Sequence, residues 1–335
     1  MTITLRVIGA VLILISLQDQ FQTLFHPAGR GALSDWTGKI VWKTMRFFAR
    51  RNVGRLTLAG PFALLLIIVI WAGLLCLGWA CLIFPQLGSF TVMAGLDPAQ
   101  HHGFFDALNI SVGSLITLGG DMMPTTKGIR FLMSLEGVFG FALLTASVSW
   151  LLSIYPVLES GRSFAQEAMS LYTACRRCHL AISDLAESEA HSLIHGLAVQ
   201  LASVRNQMVQ FPVTYYFNVG EKKTSIAAVM PFVAHIAEEA ELDIRPGVRL
   251  AGSVLSSAVD NFAEFVGSTF LGMPNGNRKA ILSTLACDHM RDPSGIAAMA
   301  ATVMSTRNAT PIIVSNLLLT CFPITFLSAA TFRTG

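Results

Sequence analysis

From Leu56 to Phe84 the chain carries no charged side chain, and this stretch contains the unbroken apolar run from Phe62 to Ile70. At about 1.5 Å per residue such a helix crosses a hydrocarbon layer of roughly 30 Å with some tilt. A core helix of a soluble domain seldom needs so long an uncharged run, so the segment reads as a spanning helix. Composition agrees with that reading. Hydrophobic residues make up 53% of the 335 and charged residues 13%, against roughly 25% charged in an average soluble domain. These values exclude a disordered chain, a nucleic-acid-binding surface protein and a disulfide-stapled secreted scaffold. Yet 20 acidic and 23 basic residues are too many for a chain lying wholly in lipid. The expectation is a molecule divided between bilayer and water. The formal charge of +3 suggests no nucleic-acid partner.

A second spanning candidate runs from Phe131 to Val157, with a single charge, Glu136, and aromatic residues near both ends as in an interfacial belt. The N-terminus leaves two readings open. Val7 to Leu17 is strongly apolar but is followed by Gln18, Asp19, Gln20 and Gln22. A signal peptide would need a small-residue cleavage site there. The favoured alternative is a helix running to Leu24 or Phe25 with its polar face turned toward other helices. Charge placement orients the segments. Lys39, Lys43, Arg46, Arg50, Arg51 and Arg55 lie between the first and second, whereas Asp97, Asp106 and Asp121 outnumber Lys127 between the second and third. The positive-inside rule then puts residues 36 to 55 in the cytoplasm, 85 to 127 outside, and the C-terminal region back in the cytoplasm. Aromatic and aliphatic residues interleave with the bases from Trp36 to Phe48, which predicts a linker lying along the inner membrane surface.

Between the two best spans, Phe104 to Leu118 is apolar but too short to cross, and it runs into Gly119, Gly120 and Asp121. A half-length helix followed by a glycine turn has the pattern of a re-entrant segment. Non-helical backbone at membrane depth is tolerated only where protein buries it or where it lines a wet cavity. Adjacent glycines let backbone carbonyls approach a shared axis without side-chain obstruction.

The run DALNISVGSLITLGGD from Asp106 to Asp121, continuing through Pro124, Gly128, Arg130, Glu136, Gly137 and Gly140, resembles the pore module of the potassium-channel superfamily. In that family an outer helix, a pore helix, a filter of the Thr-Val-Gly-Tyr-Gly-Asp type and an inner helix follow one another. By this resemblance Ser111 and Ser114 fall on the pore helix as support, and Thr117, Leu118 and Gly119 on the first three filter positions. Gly120 and Asp121 fall on the closing Gly-Asp. The resemblance covers about residues 60 to 157. It departs in one respect: Gly119 and Gly120 are adjacent, so the aromatic between the filter glycines is missing, with one carbonyl ring. Potassium selectivity depends on the number and placement of those carbonyls.

The resemblance implies a homotetramer, since one chain supplies one pore loop and a ring of carbonyls needs a closed oligomer. Thr117, Leu118 and Gly119 would offer carbonyls to a dehydrated monovalent cation, potassium in the first instance. Asp121 would either concentrate cations at the outer mouth or serve only as a turn acid. Glu136 should face protein or water, as a structural partner near the filter. Gly137 and Gly140 are either a gating hinge or sites of close helix packing.

Beyond Ser160 the pattern changes to mixed polar and apolar. Phe164, Ala168, Leu171, Cys175, Cys178, Ile182 and Leu185 recur at helical spacing, and Leu193 to Met208 resume the stripe. This predicts a long helix continuing the inner helix, with a seam suited to oligomerisation. Further helices are expected around 224 to 241, 247 to 270, 277 to 287 and 294 to 307. Ile312 to Phe326 reads as a buried helix rather than a fourth span. Cys175, Cys178 and His179 match a c-type haem attachment pattern, and Cys175, Cys178, His191 and His195 match Cys2His2 zinc spacing. Haem attachment belongs outside the cytoplasm, and on a continuous helix the zinc ligands lie too far apart, so buried reduced thiols are the preferred reading. No cofactor is expected. No nucleophile triad, P-loop or nucleotide-binding glycine motif is present, so an enzyme is not expected.

The sequence thus predicts an all-α membrane protein in which residues 1–55 form an N-terminal spanning helix and basic linker. Residues 56–158 are expected to form a pore-loop channel domain and residues 159–335 a cytoplasmic helical domain. The expected activity is a tetrameric cation channel of the inner (plasma) membrane. The alternatives are a non-selective monovalent cation channel and a non-conducting signalling or scaffold protein.

Overall fold

The computed structural model describes residues 2–26, 31–49, 53–92, 103–218 and 224–291. The expected helix at 294 to 307 and the apolar stretch 312 to 326 lie outside the described residues. Among the described residues three helices are long and apolar enough to cross a membrane: α1 (Thr2–Leu24), α3 (Ala59–Ile83, extended by short 3-10 turns at both ends) and the first part of α5 (Lys127–Cys178). Between α1 and α3 lies α2 (Ala32–Ala49), and between α3 and α5 the short α4 (Phe104–Leu115).

α1 and α3 run antiparallel in close contact. A Cβ at Gly9 would collide with the Gly78 carbonyl, and a Cβ at Gly78 would lie 2.9 Å from the Gly9 carbonyl. Small residues at such a crossing let backbones approach in lipid, where packing replaces the hydrophobic drive. Ser16, Asp19 and Gln20 of α1 point inward, whereas Gln18 is exposed. Ser16 Oγ donates to the Trp71 carbonyl at 3.1 Å. Asp19, 4% exposed, accepts from Leu33 N–H at 2.8 Å, Ser34 Oγ at 2.5 Å and Trp71 Nε1 at 2.8 Å. One carboxylate therefore ties three helices together, while Val7, Val11 and Leu14 of the same helix face out. α2 buries Thr37, Gly38, Val41 and Trp42 and leaves Trp36, Ile40, Phe47 and Phe48 exposed.

α5 runs through residue 158 and through Pro156 without a break. It ends at His179, whose backbone is left-handed (φ 54°) and whose N–H reaches the Cys175 carbonyl. Here the structure corrects the sequence reading. The stripe from Phe164 to Met208 is two helices rather than one, because the chain turns between Cys178 and Glu187, with the Asp184 carboxylate accepting from Ala181 N–H at 2.7 Å. α6 (Glu187–Gln210) folds back along α5, where Gln200 Nε2 donates to Glu167 at 2.6 Å. The predicted seam is consequently spent within the chain. Leu197, Leu201 and Val204 are buried in a core with α7 (Ile226–Glu241), α8 (Pro246–Val266) and α9 (Arg278–Asp288). α6 and α8 lie parallel: Gly247 N–H donates to Glu187 at 2.9 Å, and Arg205 sits 5.7 Å over the Phe265 ring. Helices expected near 224, 247 and 277 appear within two residues of those starts. Pro246 at the first turn of α8 and the Asn277 cap of α9, accepting from Lys279 N–H at 3.2 Å, set two of those boundaries.

This C-terminal bundle docks directly on the apolar half. Cβ atoms at Gly38 and Gly60 would strike the rings of Tyr216 and Phe217.

Candidate functional site

α4 has 12 residues, about 18 Å of helix, which is well short of a bilayer crossing. It starts where the Asp106 carboxylate accepts from Gly103 N–H at 2.8 Å. Its buried face is held from both sides by hydroxyls. Ser111 Oγ contacts the Cys76 carbonyl of α3 at 3.0 Å and pairs in a short hydrogen bond with Glu136 of α5. Ser114 Oγ donates to the Met133 carbonyl of α5 at 3.0 Å. Glu136 is fully buried and so faces protein. Gly140 packs closest of all, since a Cβ there would collide with the Leu115 carbonyl at the end of α4. Gly137 stands 3.5 Å, by the same measure, from the Ser114 carbonyl. α5 is regular through both glycines, and at Gly140 the structure shows the packing role.

The chain leaves α4 in a turn that folds onto the helix end. Thr117 N–H donates to Ser114 O at 3.1 Å, and both Leu118 N–H (2.9 Å) and Gly119 N–H (3.2 Å) converge on Gly113 O. Gly113 is required here, because a Cβ would run into Gly119 O. Thr117 (φ 58°) and Gly119 (φ 77°) are left-handed; for a β-branched residue such as Thr117 that conformation costs on the order of 1–3 kcal/mol. In a planar trans peptide the C=O lies opposite the N–H. With two successive N–H groups turned onto Gly113, the carbonyls of Thr117 and Leu118 point away from α4. Residues 116 to 121 are all exposed in the single chain, Leu118 by 81%. Ser114, Thr117, Gly119, Met133, Ser134 and Gly137 border an open concavity beside this turn. Gly120 and Asp121 complete the exposed stretch. The chain then leaves through β2 (Met122–Pro124), paired antiparallel with β1 (Phe90–Val92), Phe90 opposite Pro124. The structure thus gathers Ser111, Ser114, Thr117 to Asp121, Gly137 and Gly140 around one short helix and its turn.

The cysteine and histidine motifs do not assemble. Cys175 and Cys178 are free thiols near the end of α5, and His191 and His195 stack on α6 with ring centroids 5.8 Å apart. Among the described residues no three His, Cys, Asp or Glu side chains are grouped to hold a metal. The helix breaks at His179, so the four residues do not lie on one continuous helix, and among the described residues they are not gathered into a ligand set.

Sequence reasoning missed a polar tie between α2 and the bundle. Asp288 accepts from Trp42 Nε1 at 2.8 Å and Tyr215 OH at 2.6 Å, and it pairs with Arg46. His289 lies against the rings of Trp42 (5.0 Å) and Tyr215 (4.9 Å). Burial pushes the His289 imidazole down to about 4, and burial together with Asp288 raises the Tyr215 hydroxyl. Trp42 and Arg46, four residues apart on one face of a helix, were the available signal; their partner lies some 240 residues away.

No protein-family model matches the chain, and no solved structure matches it. It is 27% identical over 210 residues to an uncharacterized membrane protein, YdjJ, of Bacillus subtilis (strain 168). The match covers 62% of this chain, which spans about 61% of that relative's length. With three helices among the described residues fit to cross a bilayer, a buried-polar, exposed-apolar packing and a membrane-protein relative, the chain is a predominantly helical membrane protein.

Proposed function

We propose that this protein is a homotetrameric cation channel in which Thr117 to Gly120 form the ion path. The observation that carries the reading is the turn after α4. Its N–H groups are bound to the chain's own helix, and its Thr117 and Leu118 carbonyls are left exposed on the face where copies would meet. A ring of such carbonyls replaces the hydration shell of a monovalent cation. Ser111, Ser114 and Glu136 fix the short helix behind it, and Asp121 adds negative charge at the mouth. In this reading the basic linker and the C-terminal bundle are cytoplasmic, in the inner (plasma) membrane. The bundle, joined to the inner helix by the unbroken α5, regulates the pore. Gly137, less tightly packed than Gly140, is the place where α5 would flex.

The adjacent Gly119 and Gly120 favour a second reading on selectivity, since a filter short of one carbonyl ring discriminates potassium from sodium less well. Purified protein in liposomes should pass potassium, and the potassium-to-sodium flux ratio decides between a selective and a non-selective pore. Inserting Tyr between Gly119 and Gly120 should shift that ratio. No flux of either ion across a range of pH, voltage and lipid would sink the channel reading and leave a non-conducting scaffold.

A further inference from the structure

Where α5 leaves the apolar half, it shares a cavity of about 70 Å³ with the bundle. At roughly 10–15 Å³ per water-sized group this is room for about five such groups. Val157 and Gly161 of α5, Met208 of α6 and Phe262 of α8 supply apolar walls. The opposite edge is polar. Ser225 is buried, yet its hydroxyl does not cap α7, which begins at the next residue. The buried His289 ring packs on the Trp42 and Tyr215 rings and borders the cavity. Asn218 uses its carbonyl oxygen to accept from Arg291 at 3.3 Å, which leaves its NH2 donors. These polar groups gather along one edge of the cavity, opposite the apolar wall. Among the described lining residues there is no Asp or Glu, and the charged one is Arg162. Donors plus a cation, against an apolar wall, suit an anionic head on a short hydrocarbon body.

We propose that this cavity binds a small carboxylate of about three or four carbons, its head toward Asn218, Ser225, His289 and Arg162 and its chain against Val157, Met208 and Phe262. Because α5 forms one wall, occupancy fixes how the end of that helix sits on the bundle. Any effect on ion flow rests on the channel reading, whereas binding itself does not.

Thermal melting of the purified full chain, with isobutyrate and its uncharged isostere isobutyramide as probes, tests the assignment without measuring flux. Saturating isobutyrate should raise the melting midpoint by roughly 2–4 °C, and isobutyramide by less than a third of that. Met208→Trp, which fills the cavity, should abolish the shift. Arg162→Gln, at an exposed position and therefore safe for folding, should reduce it at least twofold. No shift with isobutyrate would overturn the site. Equal shifts with the two probes would overturn the carboxylate class, and an undiminished shift in Arg162→Gln would overturn the placement of the head.

Discussion

The apolar half and the C-terminal bundle of this chain are packed by opposite rules. In the first, Phe131, Phe141, Leu144 and Leu152 of α5 point outward, while Ser16, Asp19, Ser111 and Glu136 are buried. In the second, Leu197, Leu201, Phe262 and Val266 are buried, while Glu189, Asn206 and Asp260 are exposed. One helix, α5, passes from one regime to the other. The contrast follows from the solvent. In water, burying hydrocarbon drives packing. In lipid that drive vanishes, and helices are held instead by close backbone approach and by hydrogen bonds among the polar groups that lipid will not solvate.

If so, the largest losses in the apolar half come from deleting polar groups. Asp19→Ala strands three donors, from Leu33, Ser34 and Trp71, each costing about 1–3 kcal/mol when left buried without a partner. The expected outcome is a loss of about 3–5 kcal/mol, read as a collapse in the yield of monodisperse protein and in its melting midpoint. Asp19→Asn, which keeps an acceptor, should recover much of it. Equal behaviour of Ala and Asn would break the comparison at its strongest point. Next in size is Gly140→Leu. The new side chain has to displace the Leu115 carbonyl, at about 1–3 kcal/mol for overpacking, and it moves the end of α4 with it. Gly73, with nothing near its Cβ position, is the internal control in the same membrane half, and Gly73→Leu should melt within a degree or two of the parent.

The same contrast explains what the sequence could tell. Spans, the short α4 and the starts of α7 to α9 were legible because uncharged length, Pro246 and Asn277 act locally. The glycine turn at Gly119 was legible for the same reason. The break at His179 was not, because the amphipathic stripe on both sides of it keeps helical spacing, and only packing decides whether such a stripe faces a second copy or its own chain. Nor was the Asp19 node, since a buried carboxylate in a spanning helix announces that it needs partners without naming them. At the turn, the residue types were readable but not the fact that Leu118 and Gly119 share one acceptor, Gly113, which is what frees the carbonyls.

His289 carries the smallest effect and sharpens the comparison from the other side, because it is a polar group buried by the water rule. Its imidazole is held near 4 by burial, against 6.5 ordinarily, with Asp288 opposing the shift and Arg291 and Arg46 adding to it. Between those values the unfolded chain binds a proton that the folded chain refuses, so this contribution is complete above about pH 6.5 and is lost as pH falls toward 4. From pH 7 to 5 the loss is roughly 2 kcal/mol, visible as a falling melting midpoint. His289→Phe keeps the ring contacts with Trp42 and Tyr215 and removes the titrating group, so it should flatten that slope while leaving Asp19-dependent stability in place. A slope unchanged in His289→Phe would mean that another group sets the acid sensitivity of the bundle. The tie through Asp288 would then be insulated from the imidazole beside it.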